Sequence, residues 1–320
     1  MGGFLLSRGL QMFASLLGAL TLVFVAVTQL PGDPVRALFG FRRPPPEIYD
    51  AIREQFHLDE PLWRQYLLYL GDIARFDLGN SYPLDGFGRA KVGPEVLDIV
   101  TAALPASAVV LVGAVVVQLV VGVTAGALAA SRHGERMGRM VYAVALLLVS
   151  TPVLVAAYTL RHVFSTQLDW LPYAGVFRWE GYVLPTVALA VLSTGYVTLL
   201  SRTELRETLA APFIQAARGR GLSPRRVVAL HAMRPSLIPV ITFVAANTGE
   251  LFLGLLIVEG IFNVPGLGGA LFQAINDRDR TVLVGMVTFI MAIVIIANTL
   301  AEVLAAALDP RIRLSGARAS

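Results

Sequence analysis

The chain has 320 residues, 56% of them hydrophobic and only 15% charged, with a mean hydropathy of +0.68. Soluble domains carry about 25% charged residues, so the composition excludes a globular soluble fold and points to a polytopic membrane protein. A net charge of +4 in such a chain belongs to its loops and is no nucleic-acid signature, and the absence of cysteine excludes disulfides, thiolate catalysis and cysteine metal sites.

Residues 9–30 carry no charge over 22 residues, enough to cross a hydrocarbon core of roughly 30 Å at about 1.5 Å per residue. That run exceeds the roughly 7–15 apolar residues of a cleaved signal peptide and reads as a retained anchor behind Arg8. Residues 31–98 form the one long hydrophilic segment, with 8 basic and 11 acidic side chains, a balance that suits the outside of the membrane. Pro44-Pro45-Pro46 is stiff and extended. A helix is expected from Glu47 to about Phe56 and a second from Pro61 to about Arg75, lying against the outer surface of the bundle. The second would place Leu62, Tyr66, Tyr69 or Leu70, and Ile73 on one face.

The second span is expected over residues 102–130, where Gly122 and Gly126 stand four apart, a spacing that lets another helix approach closely. Arg132, Arg136 and Arg139 mark the inside. The third, 140–160, carries Ser150-Thr151-Pro152, and its proline should kink it. An outside loop with Trp170, Tyr173 and Trp179 leads to the fourth span, 181–201, the most polar one, with Ser193, Thr194, Tyr196 and Thr198. The fifth, 237–258, contains Asn247 and Glu250, and the sixth is 281–301. Fourteen arginines then fall inside, against two in each short outside loop, so both termini are expected to be cytoplasmic.

The loop from Arg202 to Ser236 carries seven arginines against Glu204 and Glu207. Pro212 suits the first turn of a helix, where its missing N–H has no partner to lose. Ile214, Ala217 and Arg218 share a face, with Ala216 and Ala217 allowing close approach. Gly221 suits the helix end, and Ser223-Pro224 reads as the cap and first residue of a second helix that enters the membrane at Ile238-Pro239.

Glu250 is the sharpest single residue. A carboxylate at mid-span costs roughly 2.5–3.5 kcal/mol to insert, so it faces a partner or a cavity, and Asn247 lies three residues earlier on the same face. Two readings stand: a polar point in a transport pathway, or a structural hydrogen bond to a neighbouring helix or subunit. Glu259, at the outer end of the same span, reads as a solvated or interfacial carboxylate. Catalytic motifs are missing from the sequence. A P-loop needs Gly-Lys before Ser or Thr, yet the single lysine, Lys91, lies in Arg-Ala-Lys-Val. The four histidines form no HExxH pair, and there is no Gly-x-Ser-x-Gly elbow. The chain therefore cannot bind ATP through a P-loop.

Gln215-Ala216-Ala217 with Gly221, Ile238 and Pro239 resembles the EAA loop of binding-protein-dependent ABC importer permeases, with Gln215 where that motif has Glu. Further stretches resemble motifs at matching places in dipeptide and oligopeptide permeases. They are Leu30-Pro31-Gly32-Asp33-Pro34, Phe76-Asp77-Leu78-Gly79-Asn80-Ser81, Leu171-Pro172-Tyr173-Ala174-Gly175, Pro265-Gly266-Leu267-Gly268 and the tail from Leu308 to Arg313. The resemblance covers nearly the whole chain. It implies an all-α fold of six transmembrane helices of the type I ABC importer permease kind, with a helical extracytoplasmic segment. The expected division is 1–30, tail and first helix; 31–98, extracytoplasmic segment; 99–308, five-helix core with coupling loop 202–236; and 309–320, cytoplasmic tail.

The function implied is that of a multi-pass permease subunit in the cytoplasmic membrane of a bacterium, importing dipeptides or oligopeptides. Nickel, glutathione or another small solute is an alternative cargo, and a secondary transporter an alternative mechanism. Implied partners are a second homologous permease, two ATP-binding cassette subunits, an extracytoplasmic substrate-binding protein and the lipid bilayer, with no nucleic acid. This chain would bind no cofactor, ATP and Mg²⁺ residing on the partner subunits. Gln215, Ala216, Ala217, Arg218 and Gly221 would couple to the ATPase, and Asn247, Glu250, Ser193 and Tyr196 are candidates for the translocation pathway.

Overall fold

The computed structural model describes residues 2–28, 46–55, 57–82, 92–130, 135–277 and 279–308. The expected Leu30-Pro31-Gly32-Asp33-Pro34 motif and the tail motif beyond Leu308 lie outside them for all but Leu308. Regular structure among the described residues is helical apart from one isolated antiparallel bridge, Asn80 with Glu95. In order come α1 (Gly2–Thr28), α2 (Pro46–Gln55), α3 (Leu62–Ala74), α4 (Val96–Ala130), α5 (Glu135–Val149) and α6 (Val153–Arg161), which runs into a wide π turn (His162–Gln167). There follow α7 (Val183–Ala210), α8 (Pro212–Gly219), α9 (Pro224–Ala246, with a second π turn at Val227–Ala232), α10 (Thr248–Phe262), α11 (Leu267–Asn276) and α12 (Arg280–Leu308).

Among the described residues, five helical stretches are long and apolar enough to cross a membrane, in α1, α4, α7, α9 and α12, and the number reaches seven if two pairs of shorter helices each count as one span. The expected kink at Pro152 is a bend of 103° between Arg136–Val149 and Val153–Gln167. Pro152 has no N–H for the Leu148 carbonyl, which accepts from Thr151 N at 3.2 Å instead, and the hydroxyls of Ser150 and Thr151 bond back to the Leu146 and Leu147 carbonyls at 2.9 and 2.8 Å. The expected fifth span, 237–258, is interrupted. Asn247 closes one helix and opens the next with φ −90° and ψ 9°, while the Thr248 hydroxyl bonds the Ala245 carbonyl at 2.9 Å. Asn-Thr-Gly at 247–249 combines three poor helix formers, two of which offer the backbone side-chain partners.

The chain divides into two compact units, one of residues 1–107 with 265–296, the other of residues 108–264 with 297–320. In the first, α2 and α3 lie close to their expected bounds. α2 buries Ile48 and Ile52 against Tyr82. α3 packs on α1, with the Tyr66 and Thr21 hydroxyls 2.7 Å apart and Phe24 edge-on to Tyr66 at 5.2 Å, and the Tyr69 hydroxyl lies 3.3 Å from that of Thr288 on α12. Leu62, expected on the packed face, is exposed. Only Leu20 and Val23 of the described α1 side chains are buried, as suits a helix apolar on every side.

The Phe76 to Ser81 motif gains a structural meaning here. Ser81 and Gly79 exchange backbone bonds with Pro94, Gly93 and Val96, so the segment lies alongside the entry to α4. Asp279, buried to 4%, then ties it down. One carboxylate oxygen accepts from Ser81 Oγ at 2.5 Å and Tyr82 N at 2.9 Å, and the other caps α12 through Val282 N at 3.1 Å. Burial pushes the neighbouring Tyr82 phenol above its ordinary value, so it stays neutral beside this carboxylate.

In the second unit α7 is the central rod, contacted by α5, α6, α9 and α10. Two of its buried hydroxyls bond within the helix, Thr198 to the Thr194 carbonyl at 2.7 Å and Ser193 to the Ala190 carbonyl, while those of Thr194 and Ser201 have no hydrogen-bond partner among the described residues. α4 comes close to it through the expected glycine pair. A Cβ at Gly122 would lie 2.6 Å from Val197 Cγ1, and one at Gly126 would lie 2.7 Å from the Thr198 carbonyl oxygen. Only glycine permits this approach.

Candidate functional site

Inside the second unit, the walls formed by α4, α6, α7, α9 and α10 leave a cavity of about 300 Å³. α7 contributes Leu189, Leu192, Ser193 and Tyr196, and α10 contributes Glu250, Leu251, Leu253, Gly254 and Ile257. Val153, Val244 and Asn247 complete the wall with Gln118. The four candidates for the pathway, Ser193, Tyr196, Asn247 and Glu250, thus come together. Ser193 is buried and bonds the Ala190 carbonyl at 3.2 Å. Tyr196 is half-exposed, its ring 6.0 Å from that of Phe243. Asn247 sits at the helix break and lines the same wall.

Glu250 is exposed and lies in the first turn of α10. Sequence reasoning missed Gln118, which is buried to 3% on α4. The signal was present: it is the sole amide side chain in the apolar run 102–130.

The C-terminal end of α10 is closed by a left-handed turn and by donors from the 161–175 segment. Asn263 takes a left-handed conformation (φ 52°) and Val264 N–H returns to the Glu259 carbonyl at 2.9 Å, a Schellman-type closure. The next free carbonyls are also taken: Arg161 donates to Ile261 O at 2.7 Å and Gly175 N–H to Phe262 O at 2.9 Å. The Arg161 guanidinium lies between the Tyr158 and Tyr173 rings, 4.9 and 4.5 Å from their centroids. The Leu171 to Gly175 motif therefore supplies a ring for the arginine and, at Gly175 (φ 81°), a backbone donor. This closure corrects the expectation for Glu259. It is fully buried, because the chain folds back over the last turn of α10 rather than leaving it in solvent.

The central loop forms the expected short helix, turn and second helix. α8 starts with Pro212 and ends at Gly219; Arg220 follows, and Gly221 turns the chain with φ 80°. Ile214 and Ala217 point inward and are buried with Ala130, Leu205, Val227 and Ala232. Gln215, Ala216, Arg218 and Gly221 are exposed, as is Phe213. The candidate coupling residues therefore divide, Ala217 anchoring α8 to its own chain and the rest facing outward. The Gln215 amide reaches back to the Ala210 carbonyl at 3.4 Å. Two loop arginines are anchored, Arg206 to the Ala129 carbonyl at 3.4 Å and Arg202 over the Tyr142 ring at 4.5 Å.

Residues 122–314 match the family described as binding-protein-dependent transport system inner membrane component. The chain belongs to this family. It is similar along nearly its whole length to the oligopeptide transport system permease protein OppB of Haemophilus influenzae, 30% identical over 97% of this chain and 99% of that protein. The dipeptide transport system permease protein DppB of Bacillus subtilis is 32% identical over 98% and 99%. The di/tripeptide transport system permease protein DppB of Pseudomonas aeruginosa is 30% identical over 92% and 94%. The chain is thus a multi-helix membrane component of a transport system and not its ATPase.

Proposed function

We propose that this chain is one of two permease subunits of an ATP-driven importer of dipeptides or oligopeptides, situated in the bacterial cytoplasmic membrane with both termini inside. What carries the reading is the near end-to-end similarity to permeases named for oligopeptides, dipeptides and di/tripeptides. A cavity edged by polar side chains and an exposed helical hairpin fit the two tasks such a subunit has, passing cargo and receiving force. The outward face of α8, with Phe213, Gln215, Ala216 and Arg218, enters a groove of an ATP-binding cassette subunit. Two such subunits bind ATP and Mg²⁺, a second homologous permease completes the pathway, and an extracytoplasmic binding protein delivers the peptide. ATP binding closes the ATPase pair and moves α8 as a rigid lever.

The chain is to be reconstituted in liposomes with a homologous permease, two ATP-binding cassette subunits and a binding protein from the same organism. ATP-dependent uptake of trialanine is expected, and its absence would reject the reading. In that complex Glu250→Gln is expected to slow uptake about tenfold, equivalent to about 1.4 kcal/mol, with assembly unchanged. Loss of assembly with no specific transport defect would instead assign Glu250 a structural role. Orientation is testable separately, because the chain has no native cysteine. A cysteine at Asp277 should react with an impermeant reagent from outside, and one at Arg136 or Arg220 only after permeabilisation.

A further inference from the structure

We propose that the cavity receives the amino-terminal ammonium group of the peptide, with the Glu250 carboxylate as its counter-ion, so that the peptide enters this subunit amino end first. This polarity of the cargo rests on the peptide-importer reading and goes one step beyond it.

Charge decides which end fits. Among the described residues lining the cavity, Glu250 is the one charged side chain; no lysine, arginine or histidine accompanies it. Glu250 makes no ion pair with any described residue. Most of the remaining wall is aliphatic and offers no other charged partner. Such a wall attracts a cation and repels an anion. A peptide carries one end of each sign, and only its ammonium end finds a complement here.

The neutral polar groups extend the match. The Gln118 and Asn247 amides and the Ser193 and Tyr196 hydroxyls offer both donors and acceptors, as the first peptide bonds of a cargo require. None of them supplies the full positive charge that a carboxylate end would need. Size limits how much enters. About 300 Å³ lies at the lower end of the roughly 300–1,000 Å³ typical of ligand sites, room for an amino terminus with one or two residues. The cavity therefore recognises an end and leaves peptide length unread.

The test is made on the assembled complex without nucleotide or binding protein, so that selectivity upstream does not enter. Leu192 lines the cavity, and Leu192→Cys places a single thiol there in a chain with no other. Its modification by an uncharged maleimide is followed by mass on this chain, with trialanine amide or N-acetyl-trialanine amide present. The two probes differ in one ammonium group. Trialanine amide is expected to slow modification at least about fivefold and the acetylated probe less than about twofold, with Glu250→Gln erasing the difference and Glu250→Asp retaining it. Equal protection by both probes beside intact Glu250, protection by neither, or a preference that survives Glu250→Gln overturns the proposal. Such a result in a complex that still imports trialanine leaves the peptide-importer reading standing. A complex that imports none removes that reading as well.

Discussion

Ala217→Trp is expected to lower both uptake and substrate-stimulated ATP hydrolysis of the assembled importer by about tenfold or more, while the chain still reaches the membrane. Ala217 is 9% exposed and, with Ile214 one turn earlier on α8, is buried in a cluster with Val227 and Ala232. An indole does not fit there, and overpacking of this kind costs about 1–3 kcal/mol. α8 has eight residues, too few to persist as an isolated helix, so it keeps its place only through this contact. Lifting it displaces Phe213, Ala216 and Arg218 together. Ala216→Trp is the informative companion, because Ala216 is exposed. It should leave the hairpin intact and block only its docking. Hydrogen exchange over residues 212–232 separates the two, faster in Ala217→Trp and unchanged in Ala216→Trp. Normal transport by both variants would reject the coupling role.

Asp279→Ala is expected to be the most destabilising single change in the first unit. It removes the cap of α12 and leaves Ser81 Oγ and Tyr82 N without their acceptor. A helix cap contributes about 0.5–2 kcal/mol and hydrogen bonds to a charged group about 1.5–3 kcal/mol, so a loss of about 3–5 kcal/mol is anticipated for the set. Asp279→Asn, which keeps one good acceptor, should recover part of it. Thermal denaturation in detergent reads the effect, and an unchanged midpoint for Asp279→Ala would show that the 77–82 segment is held by its backbone bonds alone.

The sequence revealed helices and loops well, since apolar runs bounded by proline, glycine and arginine leave few alternatives in a membrane. It also revealed where α8 ends, because Gly221 must take a positive φ. The convergence of Ser193, Tyr196, Asn247 and Glu250 followed from a simple rule, that polar side chains in apolar helices turn towards one another or towards water. The break at Asn247 escaped notice because the run around it is apolar enough to hide a local competition between side chain and backbone. Glu259 was misjudged because its burial depends on a left-handed turn at Asn263 and on donors from residues 161 and 175, contacts that no local pattern encodes. Gln118 was visible in composition, yet nothing in α4 alone says which face meets the cavity.

The two π turns bear on how the chain tolerates insertion and deletion. Val227–Ala232 lies between the α8 hairpin and the stretch of α9 that brings Val244 and Asn247 to the cavity. A π turn holds one residue more than the α-helix needs, absorbing it without rotating the helix beyond. Deleting exposed Leu230 would remove that surplus and leave a regular helix. Each residue of a regular α-helix is worth about 100° of rotation, so a deletion elsewhere in α9 would turn its two ends against each other, whereas one inside the π turn would leave both on their present faces. A single-codon deletion at 230 should therefore be far better tolerated than one at a regular position such as Ile241, because only the latter changes the azimuth between hairpin and cavity.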